Sequence, residues 1–184
     1  MKPTQELSAE HQAILLMIRI LEKMSDRLEA GETVEPGHLE RAVDFIRVFA
    51  DKCHHGKEED LLFPAMEKAG IPRRAGPLGV MLSEHVMGRG FVQSMAEALA
   101  GIRQGDRRVG ARFAENARNY GALLTQHIFK EDNILYPMAD ERLSAAQQDE
   151  LATCFAEVEE KLVGHGKHEE YHRLLKELEA AYLS

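Results

Sequence analysis

A chain of 184 residues, 44% apolar and 29% charged, has the size and balance of one globular domain that buries a core without covalent staples. Its net charge of −8 argues against nucleic-acid binding through phosphate neutralisation, and no apolar run approaches the roughly 18 residues of a membrane span. Met1–Glu6 shows no signal-peptide pattern, and Cys53 and Cys154 are too few for a disulfide framework, so a reducing cytoplasm is the expected setting.

Thr4 or Ser8 can cap a first helix reaching about Ala30, with Ile14, Leu15, Ile18 and Leu21 at helical spacing. A loop over 31–37 leads to a second helix from about Gly37 to Lys68, whose face carries Val43, Ile46, Ala50, His54 and Leu61. Pro72 and Pro77 mark the next loop, over 70–79, before a third helix ending near Gln104 and a fourth from about Asp106 to Ala139. Ser144 and Gln147 form a capping-box pattern for a fifth helix, which Gly164 and Gly166 interrupt, and 168–183 is a last helix or a bent continuation. Short links between long amphipathic helices predict an all-α, up-down-up-down four-helix bundle over 1–143, with a helical extension over 144–184 packed on the same domain.

The sequence also repeats itself. Lys57-Glu58-Glu59-Asp60-Leu61-Leu62-Phe63-Pro64 returns 73 positions later as Lys130-Glu131-Asp132-Asn133-Ile134-Leu135-Tyr136-Pro137, and the same shift carries His54 onto His127. Glu10-His11 returns 74 positions later as Glu84-His85. Each half is therefore a helical hairpin with one histidine on its first arm and His-x-x-x-Glu on its second. Four His-x-x-x-Glu matches occur where chance gives about one, so a single match means little, whereas two in matched contexts point to a built site.

Residues four apart share a helix face, so His54 and Glu58 point together, as do His127 and Glu131, each pair flanked by apolar neighbours. Imidazoles and carboxylates aimed into a bundle core need partners, and those faces offer no matching lysines or arginines. Cations answer the whole group at once. Six ligands, His11, His54, Glu58, His85, His127 and Glu131, suit two ions bridged by the two carboxylates, with two imidazoles on each. Imidazole and carboxylate without thiolate favour iron first, manganese second, and zinc after them. Positions left open on the ions would take O2, peroxide or nitric oxide.

These residues resemble the hemerythrin-like family of His/His/Glu cation-binding four-helix bundles. The resemblance runs over about 7–139 and rests on His11, on Cys53-His54-His55-Gly56-Lys57-Glu58-Glu59 with Leu62-Phe63-Pro64, on Glu84-His85, and on His127 through Asp132 with Leu135-Tyr136-Pro137. It implies two nonheme iron ions with an oxo or hydroxo bridge, in a protein that binds or reacts with O2, peroxide or nitric oxide. The alternative is a noncatalytic iron or oxygen sensor acting through a protein partner, with the C-terminal helices as output. The oxygen carriers of the family have a further histidine one turn after the third-helix ligand, where this chain has Arg89, and an Asp five residues after the last histidine. Here Glu131 stands at four and Asp132 at five; the repeat, which matches Glu131 to Glu58, favours Glu131. The missing imidazole shifts weight from oxygen carriage to redox chemistry with small oxidants or to sensing.

Several residues remain around this set. His55 and Glu59 sit one step round from the ligands, nearer solvent, and are read as solvated or as supporting the ligands. Arg89 either steadies a carboxylate or makes a surface ion pair, and Tyr120 either serves a bound oxygen species or iron or packs in the core. Gly88 and Gly90 are read as allowing close helix packing, His38 as surface and Cys53 as a packed thiol. His165, His168 and His172 could suggest a second cation site, but a single copy beside two glycines reads as an exposed polar face.

Overall fold

The computed structural model describes residues 1–162 and 164–184. Four long helices make the bundle: α1 (Pro3–Glu29), α2 (36–68), α3 (Pro77–Arg103) and α4 (107–142); α5 (Ala145–Leu162) and α6 (Gly164–Tyr182) follow. The described residues contain no strand, and no helix among them is long and apolar enough to cross a membrane.

Local chemistry sets the ends. Pro3 starts α1 at its first position, where a missing N–H costs nothing, so neither Thr4 nor Ser8 caps it. Their hydroxyls instead donate to Asp140 and Asp132 on α4. Pro77 likewise opens α3 ahead of Gly79. Asp106 caps α4 by accepting from the amides of Arg108 and Val109, and Ser144 and Gln147 close a reciprocal capping box before α5. The last helix begins at Gly164 and runs through Gly166.

The two helices that carry a His-x-x-x-Glu pair of candidate ligands, α2 and α4, widen around it. In α2 the backbone takes π winding over Ile46–His55 and Glu58–Leu62; in α4 it does so over Glu131–Leu135. Pro64 and Pro137 follow the latter two segments within one turn. Proline inside a helix removes an amide donor and crowds the carbonyl four residues back, and a wider turn relieves both.

The core lies in two apolar clusters, one including Leu21, Phe45, Met95 and Phe113, the other Leu62, Phe63, Met81 and Phe155. Each bundle helix crosses from one cluster to the other at its candidate ligand: Leu7 to Ile14 past His11, Ala50 to Leu62 past His54, Met81 to Val92 past His85, and Leu124 to Leu135 past His127 and Glu131. The crossings alternate in direction, as an up-down-up-down bundle requires, and leave one polar layer between two greasy ones. The extension covers one flank, with α5 against α1 and α2, and α6 against α1 and α2. His38 is not simply surface: its ring bonds the Tyr182 hydroxyl at 2.8 Å and helps hold α6 down. Gly88 faces Leu124 and Tyr120 at ordinary contact distance, whereas Gly90 faces open space and serves no close packing.

Candidate metal centre

The structure brings all six sequence-predicted ligands, His11, His54, Glu58, His85, His127 and Glu131, into the polar layer, each no more than 1% exposed. The imidazoles meet in pairs: His11 Nε2 lies 3.1 Å from His54 Nε2, and His85 Nε2 lies 3.0 Å from His127 Nε2.

Their far nitrogens are all held. His11 Nδ1 meets Asp132 at 2.9 Å, His54 Nδ1 meets Glu10 at 2.8 Å, His85 Nδ1 meets Glu59 at 2.7 Å and His127 Nδ1 meets Glu84 at 2.8 Å. Burial works against ionisation of these four carboxyls, but their histidine partners, with Lys57 beside Glu10, Arg89 beside Glu59 and Lys130 beside Glu84, hold them below the usual carboxylate range. An ionised carboxylate only accepts, so each ring donates from Nδ1, which leaves its Nε2 lone pair facing the partner ring. Two facing lone pairs about 3 Å apart repel unless a cation or a proton stands between them.

The two glutamates bridge these pairs. Glu131 places Oε1 2.9 Å from His127 Nε2 and Oε2 3.2 Å from His11 Nε2, yet neither oxygen has hydrogen-bond alignment. Glu58 Oε2 lies 3.4 Å from His85 and 3.9 Å from His54, also unpartnered. An unsatisfied buried carboxylate oxygen is costly, which is the signature of a ligand atom aimed at a cation. His11, His54 and Glu131 offer atoms within 4.8 Å of one another, and so do His55, Glu58, His85 and His127. Each half's glutamate thus stands with the other half's histidines as well as its own.

Asp132, the alternative to Glu131, takes the position of support to His11. Arg89 bonds Asp51 at 2.8 Å and Glu59 at 2.6 Å, so it steadies a carboxylate behind His85. Tyr120 is buried with its hydroxyl unpartnered, and burial raises its pKa, so it stays a phenol. It floors a cleft of about 220 Å³ between α2 and α3 that Asp51, His55, Gly88 and Arg89 also line. Cys53 is buried, and burial pushes its thiol up to about 12. His165 and His168, from the suggested second cation site, have side chains outside the described residues.

Two corrections concern residues the sequence placed near solvent or passed over. His55 is only 4% exposed, stacked on His85 with ring centres 3.9 Å apart. The π winding explains this: a wider turn rotates less per residue, so adjacent side chains both turn inward. The same widening lets Glu58 face the centre while Glu59 reaches His85, and Glu131 face it while Asp132 reaches His11. Tyr136 was missed altogether. Its hydroxyl donates to Glu58 Oε1 at 2.8 Å, and its ring stacks on His11 as Phe63 stacks on His85. The signal was its pairing with Phe63 across the repeat, one hydroxyl apart.

Without metal, protons take the place between the rings. Burial pushes His11 and His85 down, but the hydrogen bonds of Asp132 and Glu59 and the nearby negative charges of Glu131 and Glu58 outweigh it and raise both to about 9. Metal must displace those protons, so apparent affinity should climb about tenfold per pH unit for each proton released, from pH 7 to about 9. The apo fold has the opposite slope: a raised histidine stabilises it below about pH 6.5, and that contribution is lost as pH rises through 9. Titration with cobalt(II) across this range, with apo melting alongside, checks both slopes; an affinity flat from pH 7 to 9 contradicts the protonated apo centre.

Comparison with known sequences bears on this geometry. A family model described as Hemerythrin HHE cation binding domain matches residues 2–139, the bundle without its extension. Uncharacterized proteins of Mycobacterium tuberculosis (Rv1995) and Mycobacterium bovis (Mb2018) are each 23% identical to this chain over 160 residues, covering 87% of this chain and 62% of the relative. The chain thus spans about three-fifths of the length of those relatives.

Proposed function

Because this chain belongs to the hemerythrin HHE cation-binding domain family, we propose that its polar layer holds two iron ions and binds or reacts with O2, peroxide or nitric oxide. One observation supports this above others: four imidazoles present Nε2 lone pairs in two facing couples, with three unpartnered glutamate oxygens beside them. His11 and His54 would hold one ion, His85 and His127 the other, with Glu58 and Glu131 shared. Oxygen and nitrogen donors without thiolate favour iron, then manganese, then zinc. Iron supplies one-electron chemistry and open coordination positions.

The chain's own groups prepare that chemistry. Asp132, Glu10, Glu59 and Glu84 fix the ring tautomers and make the imidazoles stronger donors. Tyr136 pins Glu58 and offers a proton beside it; burial and the Glu131 and Glu58 charges raise its pKa well above the ordinary phenol value, which keeps that proton in place. The cleft over His55 and Tyr120 gives a small molecule an approach between α2 and α3. Unpaired Cys53 and Cys154 fit a reducing cytoplasm.

A second reading, sensing through a protein partner, draws on the contact of Lys57 with Phe155 of α5, 5.5 Å from ring centre to Nζ, which joins the centre's surroundings to the extension. One experiment separates the two. Anaerobic iron(II) titration should show two equivalents bound and a raised melting temperature, since a ligand at a hundred times its Kd adds about 2.7 kcal/mol. His54→Ala should lose one ion. Turnover of peroxide or nitric oxide by the loaded chain supports the first reading. Absent turnover, with hydrogen exchange of 145–162 and 164–182 altered by iron, supports the second. A chain that takes up no iron and melts unchanged overturns both.

A further inference from the structure

The repeat makes the two halves alike at most positions of the centre, so the places where they differ carry information. His55 is one. Its counterpart 73 positions on is Ile128, a buried apolar residue. A histidine so deep needs both ring nitrogens accounted for. Nδ1 faces Asp51 at 3.4 Å on its own helix, and Arg89 keeps that carboxylate paired. An ionised Asp51 accepts, so Nδ1 carries the hydrogen and Nε2 the lone pair. Nε2 is fully buried and has no partner.

This is the electronic arrangement of the four other rings: Nδ1–H given to a carboxylate, Nε2 left bare. The position agrees. His55 offers a ligand atom within 4.8 Å of those of Glu58, His85 and His127. Ordinary core packing asks for no polar atom here: Ile128, the matching residue of the repeat, is buried without one. A surface role does not either, since the ring is only 4% exposed.

We propose that His55 supplies a third imidazole to the ion held by His85 and His127, which makes the two metal positions of this chain unequal. The proposal rests on the two-ion reading above. It assigns the first position His11 and His54, beside the Tyr136 hydroxyl, and the second position His55, His85 and His127, beside the ring of Phe63. The fifth imidazole comes from α2, in place of the one that Arg89 displaces on α3. The cleft lined by His55, Asp51 and Arg89 then opens onto the second position alone, so a small molecule meets the ion with more imidazoles.

Cobalt(II) loading tests this without any assay of activity. A coordinated imidazole whose Nδ1–H is held by a carboxylate inside the bundle wall gives one hyperfine-shifted, exchangeable proton resonance. The loaded wild-type chain should show five. His55→Ile, which installs the residue the other half already carries, should show four and bind one of its two cobalt ions at least tenfold more weakly; His55→Gln should also show four. Two bound cobalt ions with only four resonances in the wild-type chain, or a count that His55→Ile leaves unchanged, overturns the proposal while the two-ion reading stands. A wild-type chain that takes up no cobalt removes the two-ion reading and this proposal with it.

Discussion

Glutamine in place of Glu131 should weaken both metal positions together, by about 100-fold or more, and should also lower the stability of the apo fold at neutral pH. The carboxylate stands between the two histidine pairs, one oxygen 2.9 Å from His127 and the other 3.2 Å from His11. Removing one charge from a desolvated charged group costs about 3–5 kcal/mol where a partner charge is left behind, which is roughly 100- to 4000-fold in affinity. The apo chain loses too, because the Glu131 charge helps to hold His11 protonated in a buried site, and an amide does not replace that charge. His54→Ala removes a donor from one pair only, so the two substitutions should differ in stoichiometry. Calorimetric titration with metal, joined to melting of both apo variants, checks this. If Glu131→Gln still binds two ions at wild-type affinity, the carboxylate is not shared.

Lys57→Met should destabilise the apo chain by about 3 kcal/mol, whereas Lys130→Met, at the matching position of the repeat, should cost no more than about 1 kcal/mol. The two lysines look interchangeable in sequence. Lys57 is fully buried, with Nζ 2.7 Å from Glu6 and 2.5 Å from Glu10, so its loss strands the largely buried Glu10 carboxylate without its cation. Lys130 pairs with Glu84 but is 32% exposed, so water can replace it. In a chain of this length 3 kcal/mol corresponds to a melting shift of about 6–12 °C. Glu10 also holds His54, so Lys57→Met should weaken metal binding about tenfold or more. Thermal melts of the two variants decide it, and equal losses would mean that burial does not set the difference.

Much of this arrangement was legible beforehand, for identifiable reasons. Helical periodicity located the four bundle helices, because apolar residues recur along faces that meet a core, and a capping box located the start of the extension. The repeat located the six candidate ligands, because matched contexts outweigh a motif that chance supplies. The rest lay in two kinds of contact that periodicity does not carry. The partners of Nδ1 come from neighbouring helices: Asp132 on α4 holds His11 on α1, and Glu59 on α2 holds His85 on α3. All four of those carboxylates sat inside the quoted repeat segments, yet spacing along one helix does not reveal a bond between two. The π turns were the other loss. A regular helix sends His54 and His55 to different faces, and only the widened backbone buries both.

The extension gives this duplicated bundle a sidedness. Phe155 of α5, itself fully buried, closes over Lys57, so the chain of contacts from His54 through Glu10 and Lys57 to α5 runs through medium of low polarisability. The equivalent route from His127 through Glu84 ends at Lys130, where solvent and salt damp it. Coulombic forces fall off far less steeply along the first route than along the second. Any gain or loss of charge at the centre is therefore broadcast toward the extension and muffled on the opposite flank.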